Sequence, residues 1–127
     1  MNPNFAEIGK SFVEHFYTLY DTPGRKQELC ALYDDNALLT FENDQKQGKV
    51  GITEKHMALT AQTKHAITTL DSQPTPDGGV IVIVMGQIQT EGEDKPLGFN
   101  HTFILKPTAG GSFVISNEVF RLAIHNF

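Results

Sequence analysis

With 127 residues the chain has room for one domain, spanning 1–127, that buries about two thirds of its unfolded surface without covalent staples. Ten Lys plus Arg against 15 Asp plus Glu give a formal charge of −5, which argues against a nucleic-acid surface or an anionic membrane, since either needs a basic stripe. The single Cys30 rules out an internal disulfide and points to a reducing compartment, and no run approaches the ~18 apolar residues of a membrane span.

Phe5, Ile8, Phe12, Phe16, Leu19 and Tyr20 recur at steps of three and four, which predicts an amphipathic helix ended by Asp21-Thr22-Pro23-Gly24. Its start is signalled twice, by Asn2-Pro3 and by a capping box from Asn4 to Glu7. Leu29, Leu32 and Tyr33 form the inner face of a second, short helix that Asp34-Asp35-Asn36 stops. Ala37 to Glu42 reads as a strand, Asn43 to Gly48 as a polar turn, and about Lys49 to Leu59 as a third short helix. From Lys64 the period changes to two. His65 to Leu70 is a strand, and Pro74 to Gly79 a turn whose prolines fix backbone angles. Val80 to Ile88 and Leu97 to Leu105 are long strands, the second with Leu97, Phe99, His101, Phe103 and Leu105 on one face. After a turn at Pro107 to Gly111 a final strand starts at Phe113. Helices first and meandering strands after predict an α+β fold, an antiparallel sheet curled around helices.

The final strand carries apolar residues on both faces, with Phe120, Leu122 and Ile124 on one and Val119 and Ala123 on the other. A sheet that needs cover on one side only would alternate cleanly, and the chain has too few helices to cover two. A second copy is the simplest cover. This predicts a sheet-packed homodimer with Phe120, Leu122 and Ile124 as interface candidates.

Little in the chain reads as an active centre. His15, His56, His65, His101 and His125 form no metal-ligand spacing with one another or with Cys30, so no metal and no cofactor is expected. Gly48-x-x-Gly51 lacks the lysine and threonine of a phosphate cradle, and no serine sits in a nucleophile elbow. His65 and Glu42 belong to strands that line the open end of the sheet. They suit either an acid–base pair or a structural hydrogen bond that holds Glu42 for an external cation. Glu91-Gly92-Glu93-Asp94-Lys95-Pro96, between two apolar strands, suits a basic partner that also inserts an apolar side chain, or else a solvated turn. Phe41 and Phe99 read as core or cavity-lining groups. Phe5, at the exposed end of its stripe, is a core contact or a docking spot.

Several stretches together carry a resemblance: Ile8-Gly9-x-Ser11-Phe12, Phe16-Tyr17, Leu39-Thr40-Phe41-Glu42, Gln47-Gly48-Lys49, Ile52-x-Glu54-Lys55, Gln73-Pro74-Thr75-Pro76-Asp77, Gly86-Gln87, Gly98-Phe99 and Phe120 to Phe127. In these the chain resembles the nuclear transport factor 2 family over essentially its whole length. The resemblance implies a cone-shaped fold with an acid-rimmed hydrophobic cavity, in a homodimeric, non-enzymatic import carrier. Such a carrier binds the GDP form of the small GTPase Ran and passes nuclear pores by touching Phe-Gly repeats of nucleoporins. It would move between cytoplasm and nucleus and concentrate at the nuclear envelope. By position, Glu42 would meet one basic residue of the GTPase, and Glu91, Glu93 and Asp94 another. Phe41 and Phe99 would help form the cavity, with Leu59 and His65 on its border. Phe5, with Val119 and Phe120 of a second subunit, would bind the repeats.

The chain departs from the family at Phe5 and Phe41, which replace tryptophans, in a Leu59 to Lys64 segment one residue shorter and without Pro-Phe, and in a hairpin one residue longer. The same cone also hosts isomerases and dehydratases, which leaves His65 with Glu42 as an enzyme alternative. An adaptor that keeps the repeats but not the GTPase is another.

Overall fold

The stripe from Phe5 to Tyr20 folds as helix α1 (Phe5–Asp21) and presses Val13, Phe16, Tyr17 and Leu19 into the core. Neither signalled cap forms: Asn4 is the N-cap residue but makes no side-chain cap, and its N–H is taken by Asn2 Oδ1 at 2.8 Å. Helix α2 (Lys26–Cys30) ends before Tyr33, which opens strand β1 (Tyr33–Phe41) instead of closing the helix. Asp34-Asp35-Asn36 is therefore not a helix stop. It is an irregularity inside β1, between the Tyr33–Ile115 and Leu38–Asn117 pairs, with Asp34 Oδ2 accepting the Asn36 N–H at 3.0 Å. The structure, a computed structural model, describes residues 1–123.

The segment read as a polar turn contains β2 (Asp44–Gln47), which pairs antiparallel with β1 across the two-residue turn Glu42-Asn43. An edge strand can be wholly polar, which is why this one looks like a loop in sequence. Helix α3 (Lys49–Ala58), β3 (Thr63–Pro74), β4 (Val80–Thr90), β5 (Leu97–Pro107) and β6 (Phe113–Ala123) follow. The curved sheet runs in the order β2-β1-β6-β5-β4-β3. Its pairs are antiparallel except β1 with β6, which run parallel, so the all-antiparallel expectation is corrected at that one seam. Parallel neighbours need a long connection, and the whole chain from β2 to β5 supplies it. β3 bulges between Ile67 and Thr69 opposite Gly86, where any Cβ would collide with the Ala66 carbonyl oxygen.

Alternation sorts the side chains onto two faces. Val82, Val84, Phe99, Phe103, Leu105, Ile115 and Phe120 point to the inner face and are buried against the helices, with Phe16 edge-on to Phe103 at 5.0 Å. Each such phenylalanine contributes ~2–3 kcal/mol by leaving water. On the outer face Ile83, Met85 and Val119 remain 44%, 50% and 43% exposed. Ile83 and Val119 lie in one row through Thr102. This corrects the interface candidates. A bulge between the Ile104–Asn117 and Leu105–Ile115 pairs sets the parity of β6, so Phe120 and Leu122 face inward and Phe120 is only 3% exposed. Ile124 lies outside the described residues.

Candidate functional site

The inner face is not filled to its end. Where β1, β6, β5 and β4 pass beyond α1, a cavity of about 490 Å³ opens, lined by Tyr20, Phe41, Leu59, Ile88, Leu97, Phe120 and Leu122 with Thr60, Thr63 and Thr90. Its floor is a stack of rings: Phe41 lies flat on Phe120 at 4.9 Å, and Phe120 on Phe99 at 5.5 Å. Phe41 and Leu59 thus line the cavity. Phe99 does not; at 2% exposure it supports Phe120 from below. Tyr20, Ile88, Leu97 and Leu122 were not singled out from sequence as lining, although the shared face of Leu97 with Phe99 was visible there.

The acids divide between the mouth and its surroundings. Glu93 lines the cavity. Glu42 follows Phe41 at φ 58°, the one described non-glycine residue with positive φ, in the first position of a hairpin turn that usually takes glycine. Its N–H donates to the Phe120 carbonyl at 2.9 Å and its carboxylate accepts the Leu122 N–H, so the side chain is held against the cavity-lining strand. Such a conformation costs about 1–3 kcal/mol and persists where surroundings enforce it, commonly at functional sites. Glu91 and Asp94 are exposed and do not line the cavity; Glu91 instead borders a shallow hollow with Asp21, Lys64 and Gln89.

His65 does not reach Glu42. Its Nδ1–H donates to Asp21 Oδ1 at 2.7 Å, its backbone N–H to Asp21 Oδ2 at 2.8 Å, and its ring stacks on Tyr17 at 4.5 Å. Burial alone would push the Asp21 carboxyl up, but these bonds and the Thr63 hydroxyl hold it below the usual carboxylate range. The border role expected of His65 is corrected: the α1 terminus offers a nearer carboxylate, and the ring packs beneath the wall.

Beneath the cavity lies a buried polar chain that sequence reading missed. Tyr33 O–H and His101 Nε2–H both donate to Glu118, the latter at 2.5 Å, while Tyr17 O–H donates to His101 Nδ1 at 2.9 Å. His56 Nε2–H donates to the Tyr33 oxygen at 2.9 Å, leaving His56 Nδ1 without a partner. Glu118 and His101 are 3% and 2% exposed. Burial would raise the Glu118 carboxyl, but His101, His56 and Tyr33 hold it below its ordinary value, so it carries a buried negative charge. Burial pushes His101 below its ordinary value, against the pull of Glu118, and pushes Tyr33 and Tyr17 well up. The available signal was parity, since Glu118 shares the inward row of Phe120.

Burial also pushes His56 down to about 4, against the attraction of Glu118. An unfolded histidine titrates near 6.5. Below that pH the unfolded chain takes the proton first, so the stability from neutral His56, full above pH 6.5, is lost as pH falls to about 4, on the order of 2–3 kcal/mol. Urea unfolding at pH 7, 6 and 5 is expected to show that decline, and His56→Phe to flatten it. An equal slope in both proteins would remove His56 as its source.

Residues 8–122 match the family described as the nuclear transport factor 2 (NTF2) domain. A probable nuclear transport factor 2 of Caenorhabditis elegans is 42% identical, with 98% of this chain and 97% of that protein covered. A nuclear transport factor 2 of Oryza sativa subsp. japonica is 43% identical over 91% of this chain and 93% of its own. The solved structure of nuclear transport factor 2 from Cryptosporidium parvum superposes with a TM-score of 0.91 at 38% identity, covering 96% of this chain and 97% of that one.

Proposed function

The chain belongs to the nuclear transport factor 2 family, and from that premise we propose that it is a nuclear import carrier, not an enzyme, that binds the GDP form of the small GTPase Ran. The observation that carries this reading is the open apolar cavity with Glu93 at its mouth and Glu42 held in a strained turn beside Phe41. An aromatic side chain of the partner entering it would supply the anchor, ~2–3 kcal/mol for its burial, while the exposed acids steer encounter at ~0–1 kcal/mol each. That combination suits micromolar affinity, about −8 kcal/mol, which lets a carrier release its cargo. The enzyme alternative loses its acid–base pair, because His65 bonds Asp21 rather than Glu42. Calorimetric titration with Ran loaded with GDP or GTP tests the reading. Micromolar binding of the GDP form only is expected; equal binding of both forms would overturn the GDP-form reading, and no binding of either would overturn it in favour of the adaptor.

The homodimer would form through the outer face, where Ile83 and Met85 are exposed, and a monomer in micromolar sedimentation runs would exclude it. Across that seam Val119 stays available for Phe-Gly repeats, whereas Phe120 is committed inward. Phe5, half-buried against the core at the start of α1, is the remaining candidate for repeat binding. Weak contacts summed over two subunits give avidity with fast exchange, as shuttling between cytoplasm and nucleus and enrichment at the nuclear envelope require. Phe5→Ala is expected to weaken binding to immobilised Phe-Gly repeats while costing less stability than the ~3–5 kcal/mol of a core phenylalanine. A core-sized loss would identify Phe5 as packing alone.

A further inference from the structure

The ladder between β3 and β4 ends at the pair of Thr63 with Thr90. One step beyond, the Glu91 N–H donates to the Gln62 carbonyl at 2.9 Å, as a continuing ladder would. The return bond does not go to the Glu91 carbonyl, because the chain turns away at Gly92, at φ 88°. The Glu91 side chain takes its place, and Oε1 accepts the Gln62 N–H at 3.0 Å. Gln62 also donates its side-chain amide to the Asp21 carbonyl at 2.6 Å, so α1, the wall segment and the hairpin meet at one residue. Leu59, Thr60, Ala61 and Thr63, on either side of Gln62, line the cavity.

Glu93 is held differently. Its N–H donates to the Thr90 carbonyl at 3.0 Å and its carbonyl accepts Gln89 Nε2 at 2.8 Å. The backbone is thereby fixed, while the carboxylate stands at the cavity mouth with no hydrogen-bond or ion-pair partner among the described residues. Resting on the carrier reading, in which Glu93 at the mouth meets the partner's cation, we propose that Glu91 takes no cation and is instead a positioning residue that clasps the cavity wall to the hairpin. The clasp needs an oxygen acceptor at position 91 and no charge; the contact at position 93 needs the charge.

Four proteins separate these roles: wild type, Glu91→Gln, Glu91→Ala and Glu93→Gln, titrated with GDP-loaded Ran at low and high salt, with hydrogen exchange of the Gln62 amide followed in the free proteins. Glu91→Gln still offers an amide oxygen and is expected within about twofold of wild type in affinity and Gln62 exchange. Glu91→Ala is expected to bind about fivefold more weakly at either salt and to exchange Gln62 faster by a similar factor, the weight of one hydrogen bond. Glu93→Gln is expected to lose about fivefold at low salt, flatten the salt dependence and leave Gln62 exchange unchanged. The proposal is overturned if Glu91→Gln shows the flattened salt dependence, or if Glu91→Ala leaves Gln62 exchange untouched. Wild type that fails to bind would overturn the carrier reading and with it the role of Glu93, while Gln62 exchange judges the clasp on its own.

Discussion

Glu42→Lys is expected to weaken binding of GDP-loaded Ran by at least about a hundredfold, roughly 3 kcal/mol, with the fold and Phe-Gly repeat binding intact. Loss of one exposed ion pair would not do this, since such pairs contribute ~0–1 kcal/mol. Reversal adds like charge against a basic partner, which costs several kcal/mol at an interface. It also removes the acceptor of the Leu122 N–H, so the cavity-lining strand keeps only the backbone bond from residue 42 to the Phe120 carbonyl as its tie to the β1–β2 turn. The fold has little to lose, because Glu42 sits at φ 58° and part of its contribution is already spent on that conformation. Glu42→Gly serves as the control. It relieves the backbone, and the expected result is equal or higher thermal stability with clearly weaker binding. Unchanged affinity of Glu42→Lys in calorimetry would detach the cavity rim from the GTPase.

Glu118→Ala is expected to destabilise the fold by about 3–5 kcal/mol in urea unfolding, a large share of the 5–15 kcal/mol typical of a domain. Tyr33 O–H and His101 Nε2–H would both lose their acceptor, at about 1–3 kcal/mol each, where Glu118 is only 3% exposed and water has little access. The loss would reach the binding site, since Glu118 stands one inward position before Phe120 in the cavity floor. Glu118→Gln keeps an acceptor oxygen and is expected to lose less. A loss under about 1 kcal/mol for the alanine variant would mean that the polar chain is not held by this carboxylate.

Regular elements were legible in sequence wherever one periodicity ran unbroken, as in α1, β4 and β5. Legibility failed where pairing rather than pattern decides. Asp34-Asp35-Asn36 has the chemistry of a turn, and in the fold its Asx bond absorbs an irregularity inside β1. Asp44 to Gln47 has no apolar face, because an edge strand needs none. Parity along β6 depends on a bulge that no local signal announces, and so Phe120 and Leu122 were assigned outward. The site was half visible. Phe41, Leu59 and Glu93 line the cavity, but His65 was paired with the wrong acid because Asp21 lies 44 residues away in sequence. Glu118 and Tyr33, 85 residues apart, meet only once the sheet exists.

The parallel seam between β1 and β6 bears on how the protein is made. Among the described strands β6 is the last to leave the ribosome, and it supplies Phe120, Leu122 and Glu118. Until β6 has emerged, β1 has no partner on that side and Tyr33 no acceptor, so the nascent chain exposes two unpaired strand edges. Contacts this distant in sequence form slowly. A stalled or prematurely terminated chain therefore lacks any binding cavity, and becomes a substrate for chaperones rather than a carrier of reduced affinity.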